Sequence, residues 1–425
     1  MNTLARSSAV KSDAKSAIPH CRCCNTPLER VFVDLGMSPL CESYVDPAHL
    51  NHMEPFYPLK VYICESCLLV QLDQYVSASD IFTEYAYFSS FSDSWVEHAK
   101  RYVDMMIDRF DISSTSKVME IASNDGYLLQ HFVARNIPVL GIEPARNVAK
   151  VAIAKGIPTV SEFLGEDTAR RIVSDHGQAD IVAGNNVFAH VPALNDFTAG
   201  IKLLMKPGAV LTLEFPHLWR LMDENQFDTI YHEHFSYFSL ATAENVLAAH
   251  GIRVFDVEEL KSHGGSLRIF ACHSDDASRE TSDRLTGLRD REKHAGFHSL
   301  ERHLGFEEQV RETKRKLLEF LINAKRSGKT VAGYGAPGKG NTLLNYCGIR
   351  GDFIDFTVDR NPYKQGKFLP GTHIPILDPA AIRNNKPDYV LILPWNLRRE
   401  ISEQLAYIRE WGAQFVVPIP EVEVF

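Results

Sequence analysis

The alternation of apolar and polar positions divides the chain into two stretches of strand–helix repeats with a charged helical stretch between them. In the first stretch "KVMEIASNDGYLLQHF" reads as strand, small polar turn and helix. "IPVLGIEPA" and "NVAKVAIAKG" follow as strand and helix, "ADIVAGNNVFAHV" as strand and loop, and "GAVLTLEFP" as strand. Upstream, Val103, Met106 and Ile107 recur at helical spacing between about Trp95 and Phe110. Strands alternating with helices at this pitch predict a doubly wound α/β sheet. From about Asp283 to Lys329 the pattern is helical and charge-rich, predicting one or two bridging helices. Beyond it, "KTVAGYGAPGKGNTLL", "DFIDFTVDRNP" and "PDYVLILPWN" predict a second α/β unit. The aromatic and serine-rich "SASDIFTEYAYFSSFSDSW" reads as a linker that also contributes to a site.

Length and composition narrow this picture. A chain of 425 residues predicts two to three domains, each able to bury a core. A formal charge of -9 without a basic block argues against a nucleic-acid surface. The sequence contains no apolar run of about 18 residues, so no membrane-spanning helix is expected. Residues 1–20 lack the apolar centre of a secretory signal and read as a flexible tail. The expected compartment is the reducing cytoplasm.

Six of the eight cysteines fall within the first 67 residues. Cys21 and Cys24 form one C-x-x-C, and Cys64 and Cys67 form another. Two such knuckles can close a tetrahedron of thiolates around a structural Zn2+. The 39 residues between the knuckles require a small subdomain. Cys23 and Cys41 are left over, and Cys23 could compete as a ligand.

Two turns have the character of nucleotide sites. In "VMEIASNDG", Glu120 ends one strand, and Glu143 in "LGIEP" ends the next. An acidic residue there suits a ribose diol, at the strand ends where open α/β sheets bind ligands. The turn between strand and helix carries Ser123, Asn124 and Asp125 but only Gly126, which is poor for a pyrophosphate. It suits a cofactor without phosphate, such as S-adenosylmethionine. In "GYGAPGKG", Gly333, Gly335 and Gly338 fit G-x-G-x-x-G, with Asp359 further on and Lys339 as a cation. Taken alone this is a dinucleotide fingerprint.

A third stretch, "TIYHEHFSYFS", sets Tyr231, His232, Glu233 and His234 side by side. Histidines two apart cannot form the H-E-x-x-H zinc clamp. That spacing predicts one face of an extended strand, or residues splayed around a helix.

Taken together, "EYAYFSS", "EIASNDGYLL", "GIEPARN", "NNVFAHV", "IYHEHFSYFS", "HGGSLR", "YGAPGKGNTLLNY", "DRNPYKQGKFLPGTHIPI" and "LPWN", with the two knuckles, resemble the bacterial nucleotide-sugar C-methyltransferases. The resemblance covers nearly the whole chain after the tail, with Ala122 where that family often has glycine. It implies three domains in an α/β chain. These are a zinc-binding domain over 21–75, an S-adenosylmethionine-binding Rossmann-like domain over 76–285, and a second Rossmann-like domain over 286–425 holding the nucleotide sugar. The implied substrate is a thymidine diphosphate-linked 4-keto-deoxysugar, and the expected assembly is a monomer or weak dimer.

The resemblance also implies roles for residues. Lys339, and the backbone around Gly338, would face the substrate's diphosphate rather than NAD. His263, Gly265, Arg268, Gly340, Asp359 and Trp395 would join Lys339 in holding the substrate. Tyr87, Glu120, Ser123, Asn124, Asp125, Glu143 and Asn186 would hold the cofactor. Methylating carbon requires removal of the proton beside the ketone and stabilisation of the enolate. His234 is expected to be the base, Tyr231 to sit at the reacting carbon or oxyanion, and Glu233 to orient an imidazole. His190 and Tyr85 complete the set, with Tyr87 a rival to Tyr85 and His232 structural. Two other readings compete: an NAD-dependent sugar-nucleotide oxidoreductase or epimerase using the 333–338 loop, and a zinc-dependent binding module without catalysis. Methylation at C-3 is expected, with C-5 the alternative.

Overall fold

The computed structural model describes residues 18–77 and 88–425. It opens with three antiparallel strands, β1 (Arg30–Ser38), β2 (Tyr57–Ile63) and β3 (Val70–Leu72). Alternate residues of β2, namely Leu59, Val61 and Ile63, are buried, as a sheet with one covered face requires.

A helix over Asp93–Phe110 leads into the middle unit. Its start is capped by the Ser92 side chain, which accepts the Trp95 N–H, and it stops at Asp111 in the left-handed region. Trp95, Ala99, Tyr102, Val103 and Met106 form its buried stripe. The strands β4 (Val118–Ile121), β5 (Val139–Ile142), β6 (Thr159–Val160), β7 (Ala179–Asn185) and β8 (Met205–Pro216) run parallel. Every residue of β4 and β5 is buried, because helices cover both faces of a parallel sheet. The next strand, β9 (Ser236–Tyr237), does not join this sheet; it pairs antiparallel with β3 in the first one. β10 (Ile252–Leu260) and β11 (Ser266–His273) complete the middle sheet in the order β10-β11-β8-β7-β4-β5-β6.

The charged stretch forms three helices, Asp283–His294, Leu300–Leu304 and Phe306–Arg326, rather than one or two. Gly296, at positive φ, and Gly305, which precedes the third helix, lie at the two breaks. The longest helix buries Phe306, Val310, Leu317 and Leu321, and Phe306 stacks on Phe32 of β1 at 4.9 Å. The last sheet holds β12 (Val331–Tyr334), β13 (Thr357–Val358), β14 (Ile376–Leu377), β15 (Tyr389–Ile392), β16 (Gln414–Val417) and β17 (Glu423–Val424). Its order is β14-β13-β12-β15-β16-β17, parallel except at β17.

One hydrophobic core runs from β1–β3 through Leu218–Ile230 into the last sheet, so the first and last units are not separate globules. Val45 and Phe368 add a pair of backbone hydrogen bonds between them, at 3.0 and 2.9 Å. No helix among the described residues is long and apolar enough to cross a membrane.

Candidate active site

The four cysteines of the two knuckles converge, their sulfurs all within 4.8 Å of one another. Cys21 and Cys67 are 3.5 Å apart, as are Cys24 and Cys64. Tetrahedral thiolates at a Zn–S distance of about 2.3 Å lie about 3.8 Å apart, so the set fits zinc. Each knuckle is closed the same way. Asn25 and Leu68 take positive φ and return their N–H to the carbonyls of Cys21 and Cys64, at 2.8 and 2.9 Å. Gln71 donates to the Cys21 sulfur at 3.1 Å, a second contact of the kind that fixes a metal ligand. Cys41 lies elsewhere, and Cys23 lies outside the convergent four.

In the middle sheet the strand order reverses at β4 and β7, which opens a crevice at their carboxyl ends. The turn Ala122–Gly126 holds Ala122, Asn124 and Gly126 at positive φ. A Cβ on Gly126 would meet Ile157 at 2.2 Å, so glycine is required there. Glu143 closes the turn from β5, accepting the Asn124 N–H at 2.9 Å and the Ala145 N–H at 2.8 Å. Burial raises its pKa, and those two N–H groups oppose the rise. Glu120 is fully buried, its pKa pushed well up by desolvation and then by Glu143. Asp125 pairs with Lys155 at 3.2 Å, and the Asn124 side chain accepts the Ser89 N–H at 2.8 Å.

Ser123 Oγ, Asp125 Oδ1, Asn185 Oδ1 and Asn186 Oδ1 are buried along this crevice with no hydrogen-bond partner among the described residues. Such groups are rare in a finished core and here mark a ligand surface. Acceptors grouped beside an acidic strand end fit the ribose and amino group of S-adenosylmethionine. Tyr87, assigned to the cofactor, and Tyr85, assigned to catalysis, lie outside the described residues.

Tyr231–His234 is neither strand nor helix. It is a tight turn in which His234 N–H bonds Tyr231 O at 2.9 Å, and the strand begins only at Ser236. The turn is held from three sides. Phe235 N–H reaches the Ala189 carbonyl at 2.8 Å, Thr342 Oγ1 donates to the Ile230 carbonyl at 2.9 Å, and Arg22 donates to the Phe235 carbonyl at 2.5 Å. These contacts gather three rings. Tyr231 lies 4.1 Å and His190 4.6 Å from the His234 ring, centroid to centroid.

His234 Nδ1 meets the Thr229 carbonyl at 2.7 Å. A carbonyl only accepts, so Nδ1 carries the proton and Nε2 the lone pair. The imidazole is oriented by a backbone carbonyl, while Cys41 Sγ lies 3.8 Å from the Glu233 carboxylate. Burial pushes the Tyr231 phenol far above its usual range, as do Cys41 and Glu233, so it stays a donor. Burial pushes His190 down to about 4 against a bond to the Glu233 backbone, so its imidazole is neutral at pH 7. His232 Nε2 meets the Pro58 carbonyl at 3.2 Å, away from this cluster.

The strand order of the last sheet reverses at β12 and β15, and the loops after them bring Lys339 and Trp395 together. Lys339 Nζ lies 4.5 Å over the Trp395 ring and donates to Asn396 at 2.8 Å. Trp395 Nε1 donates to the buried Asp228 at 2.7 Å. Gly264 and Gly265 take positive φ, and a Cβ at either would also strike a neighbour, Trp395 at 2.8 Å and Arg220 at 2.7 Å. Gly340 is packed against Leu393 inside its helix.

Several expected substrate groups are already engaged. The Glu42 carboxylate lies against the Gly338 backbone, whose N–H opposes the rise that burial gives its pKa. The helix start therefore has a carboxyl group of its own chain beside it where the sequence predicted the substrate's diphosphate. Asp359 accepts the Ala336 N–H at 2.7 Å and the Asn361 N–H at 2.8 Å, which closes the glycine loop. Arg268, expected to hold substrate, is 4% exposed and spends its donors on Glu214 at 2.6 Å and Glu258 at 3.0 Å. That network holds Glu214 down at about 2, despite burial, through His98 and Arg268. Arg22, Glu42, Asp228 and Thr342 had no sequence signal, since each acts through a contact more than a hundred residues away or through burial.

A doubly wound sheet with this acidic crevice, joined to a four-thiolate zinc unit, defines an S-adenosylmethionine-dependent methyltransferase. Family models agree along the chain: a zinc binding domain over residues 21–82, a methyltransferase domain over 95–257 and a C-methyltransferase C-terminal domain over 261–420. The C-methyltransferase NovU of Streptomyces niveus is 34% identical over 412 residues, 97% of this chain and 98% of that protein. The chain belongs to this C-methyltransferase family. Among solved structures, the S-adenosylmethionine-bound magnesium protoporphyrin IX methyltransferase of Synechocystis is similar at 13% identity and TM-score 0.33. That match covers 42% of this chain and 79% of that one. A Clostridium acetobutylicum methyltransferase is similar at 9% identity and TM-score 0.33, covering 41% of this chain and 91% of that one.

Proposed function

We propose that this enzyme methylates a ring carbon of a nucleotide-linked 4-keto-deoxysugar, C-3 being the acceptor, with His234 as the base. The observation that carries the reading is the Nδ1–Thr229 hydrogen bond at 2.7 Å, which leaves the basic lone pair on Nε2. His234 takes the proton beside the ketone through that nitrogen. Tyr231, kept protonated by its surroundings, donates a hydrogen bond to the developing enolate oxygen. Neutral His190 packs against the base and confines it. When bound, the cofactor supplies an electrophilic methyl group. Glu143 and the crevice lined by Asn124 and Asn186 would hold the cofactor. Lys339 and Trp395 are the nearest cation and aromatic face for a nucleotide diphosphate.

The reading as an NAD-dependent oxidoreductase is disfavoured by the match along the chain to a C-methyltransferase and to a methyltransferase domain over residues 95–257. The test follows exchange of the ring proton into deuterated water with S-adenosylhomocysteine present. His234→Asn is expected to lose exchange and methylation together, by roughly 10²–10⁴-fold, while retaining substrate binding. Exchange at the wild-type rate in that variant overturns the assignment.

A further inference from the structure

We propose that Arg22 is a positioning residue for the catalytic turn, and that the zinc knuckles act on the chemistry through it. The proposal rests on the reading of His234 as base. Arg22 stands between the ligands Cys21 and Cys24, where a charged residue would ordinarily face solvent. Its side chain turns inward instead. Nη1 donates to the Phe235 carbonyl at 2.5 Å and Nη2 to the Leu72 carbonyl at 2.6 Å. Its guanidinium also lies 5.4 Å from the Phe235 ring.

Arg22 is itself tied to the metal cluster. Its N–H reaches Gln71 Oε1 at 2.9 Å, and the same Gln71 side chain donates to the Cys21 sulfur at 3.1 Å. One guanidinium fork thus spans β3 and the residue that follows His234, at the point where β9 pairs with β3. Phe235 is gripped at both ends, its carbonyl by Arg22 and by the Leu72 N–H at 3.0 Å, and its N–H by the Ala189 carbonyl beside His190. The relative placement of His234 and His190 therefore depends on the knuckle's position. A misplacement of about 1 Å is enough to cost roughly 10²-fold in rate.

The test compares Arg22→Met and Arg22→Lys with the wild-type, zinc-loaded full chain, and runs His234→Asn beside them. The probe is a thymidine diphosphate-linked 4-keto-deoxysugar, read by ring-proton exchange and by methylation. Arg22→Met is expected to keep one zinc per chain and its KM within threefold, while kcat and ring-proton exchange fall together by 10- to 100-fold. Arg22→Lys, which keeps the charge but not the fork, is expected to fall between. Amide hydrogen exchange, measured without substrate, is expected to show loss of protection at Phe235 in both variants while β9 stays protected. Wild-type kcat in Arg22→Met overturns the positioning role if His234→Asn is inactive. Activity in His234→Asn instead overturns the underlying reading. Should Arg22→Met fail to fold, unchanged Phe235 protection in Arg22→Lys overturns the proposal by itself.

Discussion

At the scale of single residues, the catalytic turn assigns roles by environment more than by residue type. Burial beside acidic groups keeps Tyr231 protonated and burial keeps His190 neutral, while the Thr229 carbonyl fixes which nitrogen of a neutral His234 carries the proton. Tyr231→Phe is expected to keep measurable ring-proton exchange while methylation falls, because the base survives and the oxyanion donor does not. Loss of exchange equal to that of His234→Asn would reverse the two roles. The folded-state pKa of His190, about 4, lies below its ordinary 6.5, so the unfolded chain binds that proton more tightly. Its contribution to stability is complete above the ordinary value and is lost as pH falls toward 4. His190→Gln should flatten that acid limb in urea titrations between pH 7 and 4. The identities Tyr231, Glu233 and His234 could be read from the sequence because such polar groups rarely adjoin one another in an apolar stretch. Their conformation could not, because Arg22, Ala189 and Thr342 impose it from remote parts of the chain.

At the scale of elements, the knuckles and most strands and helices of the α/β units were legible, since spacing and periodicity are local. The partner of β9 was not. Two residues carry no periodicity, and β9 joins β3 across more than 160 positions rather than the sheet its neighbours build. The short helix Phe227–Thr229, which offers the Thr229 carbonyl to His234, is anchored from the last unit through Asp228 and Trp395. Burial raises the Asp228 pKa to about 7, with Lys339 and the Trp395 N–H opposing the rise. A carboxyl raised in the folded state contributes stability that is full below its ordinary range and is lost as pH climbs through about 7. Asp228→Asn, whose amide oxygen can still accept the indole N–H, should exceed wild type by more at pH 8 than at pH 5. Denaturant midpoints at the two values check this, and equal midpoints at pH 8 would contradict it. Thr342→Val leaves the Ile230 carbonyl without its donor and should cost about 1–3 kcal/mol, with a larger relative loss of kcat than of substrate binding.

At the scale of the whole molecule, β1–β3 share a core with the last sheet while Cys21 and Cys64 sit in the core of the middle sheet, so removing the metal should reach well beyond the knuckles. One zinc per chain is expected. Chelation should lower the melting temperature and abolish ring-proton exchange before S-adenosylhomocysteine binding at the middle sheet is lost. Simultaneous loss of both would mean that the crevice depends on the metal as well. Saturating NAD should leave the melting temperature unchanged if the 333–338 loop serves no dinucleotide.

The turn that carries the base is gripped from the zinc unit, from the middle sheet and from the last unit at once. If His234 is the base, a nascent chain therefore cannot position it until Thr342 and Trp395 of the last unit have been made and packed. Half-built molecules leaving the ribosome, or copies clipped between units, would be catalytically silent even with a complete cofactor crevice. An enzyme that consumes a costly methyl donor is in this way kept from reacting before its substrate-binding walls exist, with no separate inhibitor required.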